Sequence, residues 1–187
     1  GGSGHVGANL IRILIYNGWK VRCLVHHDGR AFEGLNIELT KGSILDSSFL
    51  KQQMKGCYAV FHAAAIVGVE NINVDEMKRV NIEGTRAMCS AALSSEINRF
   101  IYFSSIHAFQ QEPLDRKLTE ERVLVTDPKS SQYDLTKAYA EYEVKRAYKA
   151  GLSTVVLNPT GILGPYDFKP SRMGQLLKNI MDQKMPL

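Results

Sequence analysis

The chain has 187 residues, 44% of them hydrophobic and 22% charged, with a net charge of +4. This is the balance of an ordinary globular chain rather than a disordered one, and it is long enough for one core. Lys and Arg are scattered without a basic run, which argues against nucleic acid, and no apolar run approaches the ~20 residues of a membrane span.

The chain opens GGSGHVGANL. Val6, Leu10, Ile13 and Leu14 recur at helical spacing, which predicts a helix over 6–16 that Asn17-Gly18 ends. VRCLV, residues 21–25, is short and β-branched and predicts a strand; IEL, 37–39, predicts a weaker one. KGSILD leads into a short helix over 47–54. YAVFHAAA reads as a buried strand running into small residues, and a long helix follows over 75–93. RFIYFSS is another strand. Residues 110–129 are polar, contain Pro113 and Pro128, and read as a surface loop. A helix is predicted over 130–150. STVVLNPTG is a strand ending at Pro159, and PSRMGQLLKNIM begins a last helix. Strands alternate with helices along the whole chain. Most are short apolar runs, as when both faces are covered, which is the pattern of a parallel sheet in an α/β fold.

GGSG resembles a flexible cloning linker, but the same letters continue as Gly1-x-x-Gly4-x-x-Gly7. A helix in phase with the glycines follows, then a strand, and GSILD falls about where an adenine-contacting loop would lie. This order favours a dinucleotide turn. Gly1 and Gly4 would permit the tight turn and close approach of a pyrophosphate. Gly7 would let the helix pack against the sheet. His5, on the exposed side, and Val6 complete the turn, and the helix N-terminus supplies backbone donors and partial positive charge.

SSQYDLTKAYAE contains Tyr133-x-x-x-Lys137, which places a phenol and an ammonium on one helical face. Taken alone, such a pair reads as surface decoration. Three features favour a site: Ser104-Ser105 ends one strand, His62 and Ala63, Ala64 and Ala65 end another, and Asn81 lies on the helix between them. Strand ends of an α/β sheet face one crevice.

Taken together, GGSGHVG, VFHAAA, VNIEGT, YFSSIHAF, YDLTK and NPTGILGP resemble the extended short-chain dehydrogenase/reductases, the NAD-dependent epimerase/dehydratase family. LNPTGILGPYDFKPSRMG and VRCLVHHD are most similar to its dihydroflavonol-reductase-like branch. The resemblance implies a Rossmann-like doubly wound parallel sheet. One NAD(P)-binding domain is expected over 1–187, lacking its first strand and its C-terminal substrate-binding segment. It implies an oxidoreductase that reduces a carbonyl of a small molecule, or oxidises the alcohol. In that chemistry Lys137 holds the nicotinamide ribose and, with the oxidised ring's charge, lowers the pKa of Tyr133. Tyr133 is the general acid, Ser105 holds the substrate oxygen, and Ser104 supports the strand end. Asn81 braces the cofactor side and Pro159 packs near the nicotinamide.

This sequence departs from the family's pattern at several positions. Ser43 stands where many members hold adenine with Asp, leaving Ile44 to pack on the ring. Asn158 stands where many have Arg, and Thr136 where Ser is usual. Val25 ends its strand where NAD enzymes carry Asp, and His26 follows where NADP-preferring relatives often carry Arg. NADP is therefore the expected cofactor, with NAD possible. His26 and His27 have no third ligand at metal spacing, so no metal is expected. Cys23, Cys57 and Cys89 are odd in number and far apart, which suits a reducing cytoplasm. Tyr139, Tyr142 and Tyr148 read as helix packing or as a homodimer face. The alternatives left open are a nucleotide-sugar epimerase or dehydratase and a non-catalytic dinucleotide-binding remnant. The residues before Gly1 are expected to supply a strand between those at 21–25 and 58–65. Without it the chain is expected to fold poorly.

Overall fold

The computed structural model describes residues 1–25, 29–68, 73–168 and 171–184. Its elements in chain order are α1 (His5–Tyr16), β1 (Arg22–Val25), β2 (Glu38–Lys41), α2 (Ser47–Met54) and β3 (Ala59–His62). Then come α3 (Val74–Lys78), α4 (Gly84–Ser94), β4 (Arg99–Phe103), α5 (Gln132–Lys149), β5 (Thr154–Leu157) and α6 (Arg172–Met181). α3 and α4 are joined by one π-helical stretch, Arg79–Glu83, so the long helix over 75–93 is real but widened in its middle. None of these helices is long and apolar enough to cross a membrane.

Capping chemistry explains several boundaries. Asp46 accepts from the Phe49 amide at the start of α2, Asn73 from Asp75 and Glu76 at α3, Ser131 from Asp134 at α5, and Ser171 from Gly174 at α6. α1 differs: its N-cap is Gly4, which has no side chain to offer.

The strands form two parallel sheets, β1-β2 and β3-β4-β5. Among the described residues no strand pairs with the other edge of β1 or of β3. The second strand lies at Glu38–Lys41 rather than 37–39, because parallel register sets Glu38 opposite Arg22. The Arg22 Nε–Glu38 Oε1 pair there is 2.8 Å. The expectation of strands covered on both faces is corrected. β2 is largely exposed and β5 alternates half-buried with exposed residues. In β4, Phe100 and Tyr102 are buried while Ile101 and Phe103 are only half-buried.

The chain divides into two compact units, Gly1–Gly42 with Gly161–Leu187, and Ser43–Thr160. In the second, β3-β4-β5 and the helices α4 and α5 supply the buried Phe100, Tyr102, Met88, Ala92, Ala140 and Val144. The loop over 110–129 has its own footing. Phe109, Leu124 and Leu135 pack in one cluster, and Arg122 donates to the backbone carbonyls of Glu112 (2.9 Å) and Arg116 (2.9 Å). Tyr139, Tyr142 and Tyr148 of α5 are exposed, and the Tyr139 and Tyr142 rings pack on each other along the helix, with centroids 6.4 Å apart.

The first unit is built around Ala8, Ile11, Cys23, Ala31 and Phe32. His5 corrects its expected place in an exposed turn: it is the first residue of α1, half-buried, with Nε2 3.2 Å from the Gly164 carbonyl. Asn9 donates to the Pro165 carbonyl, and the Arg12 guanidinium stacks 3.8 Å from the Tyr166 ring centroid. The glycine turn packs onto its own helix. A Cβ on Gly7 would stand 2.2 Å from the Gly1 carbonyl oxygen and 2.6 Å from the Gly2 Cα. Gly7 therefore serves contact with the turn's own backbone. Gly2, outside the triplet, is as tightly held: its Cβ would stand 2.2 Å from Cys23 Sγ. Gly7→Ala must push the turn off α1, because the clashing atoms are backbone. We expect a cost of about 1–3 kcal/mol, or roughly 2–4 °C of Tm per kcal/mol. Gly29→Ala, whose Cβ meets no atom within 4 Å, is the control and leaves the melt unchanged.

Candidate active site

β4 delivers Ser104 and Ser105 at its end, and α5 delivers Tyr133 and Lys137 one turn apart. The structure brings Ser105, Tyr133 and Lys137 together within one unit. The Ser105 side chain lies close enough to the Tyr133 phenol to lower its pKa. The Ser105 Oγ also accepts from the His107 amide at 3.2 Å. Lys137 is 2% exposed, donates from Nζ to the Phe103 carbonyl at 2.7 Å, and lies 4.5 Å from the Tyr102 ring centroid. Tyr133 is half-buried, so a small molecule can reach it.

Burial governs the protonation of both groups. It lowers the Lys137 pKa to about 7, partly opposed by Glu141. It raises the Tyr133 phenol above its ordinary value, against the downward pull of the Ser105 side chain. The expected lowering of the Tyr133 pKa by Lys137 belongs to a site that holds the oxidised nicotinamide, and these directions describe the protein chain by itself. The ammonium is engaged with Phe103, and desolvation of the phenol prevails.

Asn81 works as a staple. It lies in the π-helical stretch, 1% exposed. Its Oδ1 accepts from the Ile66 amide (2.8 Å), and its Nδ2 donates to the Ile66 carbonyl (3.1 Å) and Thr136 Oγ1 (3.0 Å). It thereby holds the segment following Ala63, Ala64 and Ala65, which are all half-buried, against α5. Thr85 is a second node. Its hydroxyl donates to the Asn81 carbonyl at 2.6 Å, so His62 Nε2, 2.9 Å away, must be the donor to it. The Tyr102 phenol lies near Thr85. His62 stacks 5.4 Å from the Tyr102 ring, and burial keeps it neutral, with a pKa of about 3.

The other predicted residues fall as follows. Ser43 Oγ accepts from the Leu45 amide at 3.1 Å, a local turn contact. Ile44 lies against Gly84, where a Cβ would stand 2.5 Å from Ile44 Cδ1. The Pro159 carbonyl accepts from the Ile106 amide (3.2 Å). The Ser104 amide donates to the Leu157 carbonyl (2.7 Å), but the Ser104 hydroxyl is buried with no partner among the described residues. His26 lies outside the described residues. Gly1, Gly4, His5, Val6 and Gly7 belong to the first unit, described above. The His107 ring turns toward Asp134 Oδ1 (3.8 Å), and Ser105 meets only its amide, so no Ser–His nucleophile forms here. Sequence reasoning missed Thr85, Glu141 and Gly2. Glu141 repeats the Tyr133–Lys137 interval once more and carried that signal openly.

The comparisons with known proteins give the family and the fold. A strand-end serine facing a helical Tyr–Lys pair on a parallel sheet is the frame of a short-chain dehydrogenase/reductase fold. The chain belongs to the 3-beta hydroxysteroid dehydrogenase/isomerase family, whose model matches residues 1–185, within the extended short-chain dehydrogenase/reductases. It is 31% identical over 187 residues to sterol demethylase protein B of Methylococcus capsulatus, covering 99% of this chain and 57% of that protein. It is 32% identical over 188 residues to a putative dihydroflavonol 4-reductase of Synechocystis, covering 100% of this chain and 54% of that protein. The chain thus spans little more than half the length of these relatives. Among solved structures, gox2253 superposes with a TM-score of 0.89 at 31% identity, covering 98% of this chain and 57% of that one. DesIV, a dTDP-glucose 4,6-dehydratase from Streptomyces venezuelae, superposes at 0.86 with 19% identity, covering 98% and 61%, a likeness of fold alone.

His62 makes the site's frame acid-sensitive. Its folded pKa of about 3 lies below the ordinary 6.5, so the unfolded chain binds the extra proton between those values. Its contribution to stability is complete above about pH 6.5 and is lost as pH falls toward 3, at up to about 1.4 kcal/mol per pH unit. His62→Gln keeps an N–H for Thr85 but does not titrate. Urea midpoints measured from pH 7 to 4 should fall less steeply in this variant than in the parent, and equal slopes would contradict the assignment.

Proposed function

We propose that the protein of which this chain is part is an NAD(P)-dependent oxidoreductase that reduces a carbonyl of a small molecule to an alcohol. The observation that carries this reading is the meeting of the Ser105 hydroxyl and the Tyr133 phenol in one site, with Lys137 one helical turn further along α5. The residues suit a dinucleotide. α1 has no side-chain cap and no acidic residue in its first turn, so the His5, Val6 and Gly7 amides face no competing oxygen from either source. Gly7 is also a place where any Cβ would fill the turn. The turn of Gly1 and Gly4 is our candidate for the phosphates, Ser43 and Ile44 for the adenine side, and Ala63–Ala65, Asn81, Pro159, Tyr133 and Lys137 for the nicotinamide side. The cofactor, when bound, supplies the hydride.

The chain's own residues do the rest. Ser105 orients the substrate oxygen by a hydrogen bond from its hydroxyl. Tyr133, kept protonated by burial, gives its proton to that oxygen as negative charge develops there. Lys137 then holds positive charge one turn from the new phenolate. Val25, ending β1 without a carboxylate, leads us to favour NADP over NAD. NAD is bound in the DesIV structure, and a reductase name attaches to the Synechocystis relative. The same reading puts the protein in the cytoplasm, where its free cysteines stay reduced, and pairs it as a homodimer through the exposed tyrosines of α5.

In the intact protein, Tyr133→Phe should lower kcat for carbonyl reduction by at least about 100-fold, the scale of one general acid, with little change in cofactor Kd. Turnover near the parent level would overturn the reading. Titration of both cofactors checks the preference, which fails if NAD binds more tightly.

A further inference from the structure

Glu141 is a carboxylate where the fold gives it almost no water: the residue is 2% exposed. It lies one turn beyond Lys137 on α5, on the same helical face. Its Oε1 accepts from Asn158 Nδ2 at 2.5 Å, and the same amide group donates to the Ser105 carbonyl at 3.2 Å. The carboxylate is therefore held in one orientation by the residue that follows β5, directly beside the strand end that carries Ser105. Lys145 reaches its other oxygen at 3.9 Å but is half in solvent, so that exposed ammonium adds little.

A buried carboxylate is costly unless a charge or a full set of donors answers it. The groups around Lys137 are few. Its own helix brings Tyr133 and Glu141, β4 brings Tyr102 and the Phe103 carbonyl, and β3 brings His62. Beside Tyr102, α4 brings Cys89, whose thiol burial pushes up to about 12, and β5 brings no ionisable side chain. Tyr102 and Cys89 are raised and His62 is lowered, so each is neutral near pH 7. Glu141 is the one carboxylate in this set.

We propose that Glu141 is a positioning residue of the Ser105–Tyr133–Lys137 centre: clasped by Asn158, its carboxylate is the buried counter-charge that keeps Lys137 an ammonium. Without it, desolvation would neutralise the lysine, and the site would lose the positive charge that faces the phenol. The proposal rests on the reading of Lys137 as part of the active site. Its test is chosen to stand apart from that reading.

Glu141→Gln keeps the shape and an oxygen for Asn158 and removes only the charge. In the intact, cofactor-free protein, the titration of the Lys137 side chain is followed by NMR with labelled lysine, the resonance being assigned by its loss in Lys137→Met. The parent should titrate near pH 7. Glu141→Gln should titrate at least one pH unit lower, a tenfold change in the acid constant. An unchanged midpoint in a folded variant overturns the proposal. If Glu141→Gln does not fold, Lys137→Met/Glu141→Gln, which removes both charges, should recover a cooperative melt. Failure of the double variant to do so overturns the proposal as well. No turnover is needed for either result. In a protein that does reduce carbonyls, the limb of the pH–rate profile belonging to Lys137 should move with the NMR midpoint, whereas a purely structural role would leave the profile in place.

Discussion

Lys137 carries an amine into a space almost closed to water, and the surrounding structure answers the charge of its protonated form. Its hydrogen bond to the Phe103 carbonyl fixes α5 against the end of β4 at the level of Ser105. The Tyr102 ring gives it a π face, and Glu141 gives it a charge of opposite sign. Isolated ions are too expensive to bury, so each of these contacts is a condition for having Lys137 there at all. The spacing of the site follows from this. With α5 fixed by Lys137, Tyr133 one turn earlier meets the Ser105 hydroxyl.

A second layer of polar groups keeps that geometry from sliding. Thr85 uses its single proton on the Asn81 carbonyl and takes a hydrogen bond from His62. Asn81 then reaches Ile66 and Thr136, so the β3 segment, the α3–α4 helix and α5 share one chain of bonds. The π-helical stretch puts Asn81 where it can do this. Such widenings are rare and recur at functional sites. A network this complete leaves the Ser104 hydroxyl conspicuous, as a buried oxygen without a partner beside Ser105.

Much of this was legible in the sequence, for physical reasons that differ by element. The 3.6-residue repeat revealed α1, α2 and α5 to within a residue or two, and the Tyr133–Lys137 interval survives because helix geometry alone fixes it. The π-helical stretch was not legible, since the apolar spacing over 75–93 reads the same with or without one wider turn. β2 was misplaced because parallel pairing with β1, including Arg22 opposite Glu38, outweighs the apolar character of IEL. Gly2 escaped notice because its constraint comes from Cys23, a contact that no local motif encodes. Glu141 followed Lys137 at a spacing that usually marks a solvated pair, and only burial separates the two cases.

The protonation states of the site share one direction. Burial alone raises the phenol and lowers the amine, so an unassisted Tyr–Lys pair would tend toward two neutral groups. A neutral phenol is the form a proton donor needs. A neutral lysine is not, because the phenolate left after donation requires a cation nearby. The Ser105 side chain favours the phenolate and the Glu141 carboxylate favours the ammonium. Both act against desolvation, and each acts on the form that must exist once the proton has left. In the proposed reaction the site would therefore start as a neutral acid beside a protonated lysine and end as an ion pair, with the groups that favour the second state already in place in the first.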